Sequence, residues 1–401
     1  MTITYEALEA LRLSIDMTRG KPAAEQLDLS QALIDGGPAI GYRSRDGIDC
    51  RNYGHVLGLP EARELGAELL GVGADRVVAA GNSSLALMHD ALAFAMLHGL
   101  PQGEPWRCAN EVAVICPTPG YDRHFAICEA LGIRMIAVPM NDAGPDMDRV
   151  EALVANDPSI KGIWCTPLYS NPTGTIYSSE TVARLAKMPT AAADFRLFWD
   201  DAYRFHHLTG DRLASPDIVE ACAQAGHRDR PLVFASTSKV TFAGAGVAFL
   251  ASSRANIDWW QRHASVRTIG SDKLNQLRHV AYLRDRATLE RLMDGHRAVL
   301  QPKFEALDAT LRALLSDVPE VSWTKPLGGY FVSLYTPDGC AKRTVELAAR
   351  AGVVLTPAGA AFPYRVDPRD RHLRIAPSCP SLGEIERAAQ VIALSLRKAL
   401  G

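Results

Sequence analysis

FASTSKVTFAGAG, residues 234–246, decides the reading of this 401-residue chain. An apolar run, LVFAST at 232–237, leads straight into small hydroxyl residues, a lysine and a group of glycines, which is not the composition of surface decoration. This pattern places Lys239 at a sheet edge rather than on an exposed helix. An amine forms a Schiff base only when neutral, and partial burial or a nearby cationic imine moves a lysine pKa toward that state. Ser236 and Ser238 can bind phosphate. Taken alone, the string suits a solvated loop lysine as well as a catalytic one.

Working outward, the same sequence of apolar run and polar turn recurs. VVAAG, EVAVICP, MIAVPM, IKGIWCTP, RLFWDDAY, LVFAST and GVAFLAS lie between residues 77 and 252, separated by amphipathic stretches. Short apolar runs alternating with helical periods are the signature of parallel strands covered on both faces. The expectation is an α/β fold with a seven-stranded, mostly parallel, doubly wound sheet in a large domain. Ligands bind such sheets at the C-terminal strand ends, where the polar residues cluster here. After residue 280 the long amphipathic stretch DRATLERLMDGHRAVLQPKFEALDATLRALL predicts one or two helices. A smaller αβ domain follows, with VSWTKPLGGYFVSLY, GVVLTP and HLRIAP forming a short sheet under the helices TVELAARA and LGEIERAAQVIALSLRKAL. The division is 1–50 as a segment packing with the small domain, 51–285 as the large domain, and 286–401 as interdomain helix and small domain.

The bulk properties narrow the function. Net charge is −2 and 47% of residues are apolar, so no basic field invites nucleic acid. No apolar run near the N-terminus is long enough for a signal peptide or membrane span, and the eight cysteines are scattered without a CxxC pair. A cytoplasmic protein with a small-molecule substrate and no metal site is expected.

Three further segments carry chemistry. RLFWDDAYRF puts Asp200 and Asp201 at a strand end, where a buried acid needs a cation such as a protonated pyridine nitrogen, with Tyr203 close behind. The same residues also fit a helix N-cap beside an aromatic core residue. TPLYSNPTG places Asn171 in a turn that can be only a turn or can also bind a ligand. AAGNSSLALMHD reads as a strand, a polar turn of Asn82, Ser83 and Ser84, and a helix whose free N–H groups suit an anion or simple capping. In PTPGYDRHF, Tyr121 follows a strand and can stack on a flat ligand or merely pack.

Together these segments resemble fold-type I pyridoxal 5′-phosphate (PLP) enzymes of the class I and II aminotransferase group, over nearly the whole chain and in the same order. The resemblance implies that Lys239 is the Schiff-base lysine and Asp200 the partner of the pyridine nitrogen. Asn171 and Tyr203 would bind the ring oxygen, and Arg374 the substrate α-carboxylate. It further implies stacking by Tyr121, a phosphate cup of Asn82, Ser83, Ser84 and Ser236, and a backbone contact from Gly20 to substrate. Tyr53, in RNYGHVLGLPEAR, would reach the phosphate of the neighbouring subunit, so the site would need a homodimer. Relatives carry a phosphate-binding arginine where this chain has Gly246 and Val247; Arg254, Arg267, Lys273 or backbone donors would have to substitute.

MTRGKP, RNYGHVLGLPEAR, GNSSLALMHD and SKVTFAGAGV resemble more narrowly a bacterial aspartate aminotransferase subgroup, labelled alanine-glyoxylate or MocR-like. That resemblance implies amino transfer from aspartate to 2-oxoglutarate, with Arg267 reading the side-chain carboxylate from the neighbouring subunit. The alternatives are another PLP-dependent aminotransferase or β-lyase, and a non-catalytic PLP or amino-acid sensor.

Overall fold

The seven apolar runs all become strands in the computed structural model, which describes residues 3–35, 41–101 and 103–401, so that residues 1, 2 and 36–40 of the N-terminal segment lie outside it. The strands are β1 (Val77–Ala79), β2 (Ala113–Thr118), β3 (Arg134–Asn141), β5 (Ile160–Cys165), β6 (Arg196–Asp200), β7 (Pro231–Ser236) and β8 (Ala248–Ala251). An eighth, β4 (Gly144–Pro145), forms a two-residue hairpin partner to β3 that the turn-like pair Gly-Pro did not announce. Their order across the sheet is β1-β8-β7-β6-β5-β2-β3-β4. Only β8 and β4 run against the others.

Both faces are covered, because successive side chains on a strand point to opposite sides. Along β6, Leu197 and Trp199 enter one hydrophobic core while Phe198 enters another. Each such fully buried side chain contributes about 1.5–3 kcal/mol. From β2 the chain moves outward to β3, then returns to the other side as β5, so the crevice between β2 and β5 is the topological switch point of the sheet.

The helix Arg286–Leu315 buries Leu289, Met293, His296, Leu300, Phe304, Leu307, Leu311 and Leu315 at helical spacing. Leu289 and Met293 belong to a core of the large sheet, whereas the residues from Leu300 on belong to a core that also holds Tyr5, Leu8, Ile15 and Met17. Pro302 lies inside the helix just past this change of core.

The second sheet departs from expectation. VSWTKPLGGYFVSLY gives two strands, Ser322–Trp323 and Val332–Tyr335, because Gly328 and Gly329 between them let the chain double back; Gly329 has φ +82°, which favours glycine. Val332–Tyr335 pairs with His372–Ile375, setting Arg374 opposite Ser333. GVVLTP does not join them: its Val353–Val354 pairs in parallel with Ile15–Asp16 of the N-terminal segment. Among the described residues no helix is long and apolar enough to cross a membrane.

Candidate active site

Four strand ends converge on one crevice. Tyr121 follows β2, Asn171 follows β5, Asp200 closes β6, and Lys239 stands in the turn after β7. β7 is an interior strand, flanked by β6 and β8, so Lys239 sits beyond a strand end and not at the sheet edge that the sequence suggested.

The two neighbouring aspartates part company here. Asp201 is buried against Arg204 at 2.7 Å and accepts from Ser215 Oγ, so it is the acid that faces a protein cation. Asp200, 4% exposed, lies 3.1 Å through Oδ2 from His124 Nε2, while its Oδ1 is buried without a hydrogen-bond partner. Since > 90% of buried polar groups are paired in native proteins, that oxygen marks a place for a donor from outside the chain. His124 is itself fixed by stacking on Trp164, ring centroids 4.1 Å apart.

Lys239 Nζ lies 4.7 Å from the centre of the Tyr203 ring. Burial lowers its pKa and the nearby Asp200 carboxylate opposes that shift, so the amine is brought toward the neutral form a nucleophile requires. Burial, with Tyr121 and Asp200 adding, holds the Tyr203 phenol well above its usual range, and burial pushes Tyr121 up to about 12. Both phenols therefore remain donors at neutral pH. The Asn171 Oδ1 is also buried without a partner.

The backbone of the lysine turn is held from below. His206 Nε2 at 3.2 Å and Tyr330 Oη at 3.4 Å donate to the Lys239 carbonyl, and His296 Nε2 donates to the Val240 carbonyl at 3.0 Å. Gln26 Nε2 then donates to His296 Nδ1 and to Tyr330 Oη. This accounting makes His296 a neutral Nε2–H tautomer and puts a proton on His206 Nε2, and burial drives the pKa of His206 far down and that of His296 to about 4.

On the opposite wall Ser83 caps the helix Ser84–His98, and Ser238 Oγ donates to the Asn82 carbonyl at 2.6 Å, tying that helix start to the lysine turn beside Ser236. A side chain at Gly246 would come within 3.0 Å of Ser238 N and Thr237 Oγ1, so the expected arginine position has no room for a large residue. Arg254 is no substitute. It follows the antiparallel β8, at the far end of the sheet, and pairs with Asp258.

A comparison with known proteins matches residues 1–400 to the aspartate amino-transferase family model. The chain belongs to that family. An aspartate aminotransferase of Corynebacterium glutamicum is 44% identical over 97% of this chain and 90% of its own length. A crystal structure of an aspartate transaminase from the same species superposes with TM-score 0.95 at 43% identity, covering 98% of this chain and 93% of that one. An α-aminoadipate aminotransferase from Thermus thermophilus shares the fold at 23% identity, with TM-score 0.79 and coverage of 100% and 96%. The chain is thus a fold-type I aminotransferase.

In this aminotransferase Arg374 is 7% exposed, lies over Phe331 at 5.1 Å and pairs with Asp122 at 2.6 Å. Gly20 is pressed on the same Phe331: a Cβ there would be 2.6 Å from its ring. Tyr53 is 81% exposed, on a loop whose Asn52 and Gly54 carbonyls accept from buried Lys273 at 2.5 and 3.2 Å. Lys273 therefore anchors that loop and does not stand free for phosphate. Arg267 pairs with Asp90 of its own chain at 2.8 Å. Sequence reading missed His124, although it lies three residues beyond Tyr121 in the first turn of a helix after a strand. It also missed Asp122, His206, His296 and Lys273's hold on the loop, which only the folded chain reveals.

Proposed function

We propose that this aminotransferase uses PLP bound at the strand ends around Lys239, with aspartate as preferred donor and 2-oxoglutarate as acceptor, and that two copies share their sites. The buried, unpartnered Oδ1 of Asp200 carries this reading. When bound, PLP supplies an aldehyde that joins to the substrate amine and a protonated ring that draws electron density from Cα.

Asp200 would keep the proton on the pyridine nitrogen, and His124, stacked on Trp164, would keep Asp200 from turning away. Tyr203 and Asn171 suit the ring oxygen, and Tyr121 the ring face. Ser83, Ser84, Ser236, Ser238 and the turn at Asn82, with the N-terminal N–H groups of Ser84–His98, suit the phosphate. Lys239, half-buried and with its pKa lowered by burial, would take the proton from substrate Cα and return it on the cofactor side. Arg374 would hold the α-carboxylate, with the Gly20 backbone beside it.

The exposed Tyr53 supports a homodimer in which it completes the neighbouring site. Arg267 lies near the Tyr53 loop, since Gly270 packs on the Gly54 carbonyl; it would exchange Asp90 for the side-chain carboxylate of a substrate in the neighbouring copy. Residues 51–285 and 286–401 would then be large and small domains, with 1–50 on the latter. The eight free thiols suit the cytoplasm.

Titrating the purified holoprotein with single amino acids, while following the absorbance of the bound cofactor, tests the reading. Aspartate should drive the change at the lowest concentration, and a spectrum indifferent to every donor would reject it. In Arg267→Leu the ratio of kcat/KM for aspartate over alanine should fall about tenfold or more; an unchanged ratio removes Arg267 from the specificity.

A further inference from the structure

A guanidinium has five N–H donors, and those of Arg374 are nearly all engaged. Nε and Nη2 lie 3.4 and 3.3 Å from Thr356 Oγ1, Nη2 also lies 3.5 Å from the Thr18 carbonyl, and Nη1 donates to Asp122 Oδ1 at 2.6 Å. That leaves one N–H of Nη1, whereas a carboxylate gripped bidentately needs two in parallel. The contacts to Thr356 and Thr18 are long and neutral, and Thr356 is itself held by the Thr18 carbonyl at 2.8 Å. The contact to Asp122 is the short, charged one. Its carboxylate side chain is 32% exposed, so it has water to turn to, while the arginine, at 7%, has not.

The partners come from separate parts of the fold. Asp122 begins the helix Asp122–Ala130 behind β2 of the large sheet, Arg374 lies in the small sheet, and Thr18 lies in the N-terminal segment. A carboxylate that arrives at Arg374 thus meets a carboxylate already there, supplied by the chain.

We propose that Asp122 is an internal competitor for Arg374: in the substrate-free enzyme it occupies the guanidinium edge that the α-carboxylate of an amino or 2-oxo acid must take, and so sets how tightly these acids bind. This rests on Arg374 being the α-carboxylate reader. The energetics follow from a cycle. Breaking the Asp122 pair is part of the cost of binding, so a chain without that carboxylate starts from an unpaired buried arginine and gains more when the ligand arrives. Because Asp122 faces the group common to all substrates, it loosens every amino acid by the same factor and leaves the choice among side chains untouched.

The test is calorimetric binding of succinate, which has no amino or oxo group to react, to the holoenzyme, together with KM for aspartate and alanine. In Asp122→Asn, which keeps the shape and removes the charge, the Kd for succinate and both KM values should fall about tenfold, the scale of one charge-assisted hydrogen bond. Asp122→Ala guards against the asparagine amide making a substitute contact and should shift in the same direction. Arg374→Leu serves as the reference and should weaken all three. If the Asp122 variants bind succinate no better, or worse, while Arg374→Leu still weakens binding, Asp122 positions the arginine or is idle and the competitor is rejected. If KM falls for aspartate but not for alanine, Asp122 guards the side-chain end and the assignment to the α-carboxylate fails. If Arg374→Leu changes nothing, the arginine itself has been misassigned, and the proposal falls with it.

Discussion

Asp200 and Tyr53 stand at the two extremes of exposure among the residues that the proposed function draws on. Asp200 is 4% exposed, clamped by a stacked histidine; Tyr53 is 81% exposed, on a loop pinned from within by Lys273. The difference shows what each region still needs. The floor, made of strand ends, has its side chains held in place by their own neighbours. The rim has its backbone fixed but its aromatic ring left in water, an arrangement that makes sense when another surface covers it. Rigid backbone under an uncovered ring separates the Tyr53 loop from a merely loose one.

The largest effect should come from the floor. Under the proposed function, Lys239→Ala removes both the cofactor-binding amine and the proton carrier, so turnover should fall on the order of 10⁴-fold or more, as measured by steady-state rate. Ordinary turnover in that variant would move the chemistry away from the floor altogether. Asp200→Asn keeps the shape but cannot hold a protonated ring nitrogen, and kcat should drop about 10²–10³-fold. Near-parent rates would hand the role to Asp201.

Dryness of the floor is tested by acid. His296 is neutral in the folded protein because burial lowers its pKa to about 4, whereas the unfolded chain protonates near 6.5. Stability from this residue is therefore complete above pH 6.5 and is lost as pH falls from there through 4, amounting to about 3 kcal/mol. Urea unfolding at pH 7 and 4 should show His296→Gln losing less stability on acidification than the parent, by that amount.

The rim should give the smallest change in a single variant. Tyr53→Phe should weaken PLP retention by about 1.5–3 kcal/mol through loss of one donor to a charged phosphate, read by equilibrium dialysis. Mixed with Lys239→Ala subunits, it should form heterodimers with one intact and one doubly impaired site, so retention in the active sites should return toward the parent value. No recovery after verified subunit exchange would place Tyr53 in its own chain's site and erase the contrast.

The parts legible in the sequence are those whose cause is local. Buried parallel strands need unbroken apolar runs, and the polar residues just beyond them mark the crevice, so Lys239, Asp200, Asn171 and Tyr121 could be placed there by position, while their roles came only with the family resemblance. β4 escaped because two residues of Gly-Pro carry no strand pattern. Val353–Val354 carried the pattern but not the partner, since a strand's apolar run does not say which edge it will join. His124 and Asp122 were invisible for the same reason: each touches its partner across 76 and 252 residues of chain, and no spacing rule reaches that far.

The ladder of Ile15–Asp16 against Val353–Val354 has a consequence in time. Thr18 and Thr356, just beyond it, are 338 residues apart, and both line Arg374. At about 5–20 residues per second, a ribosome takes roughly 17–70 s to make the second after the first. Throughout that interval the N-terminal segment has no strand to join, and closing so long a loop is a late event in folding. The large sheet, whose strands lie between residues 77 and 251, can be assembled before then. The surroundings of Arg374 are thus completed late, and a chain stalled short of residue 374 would carry the large sheet and Lys239 without that arginine.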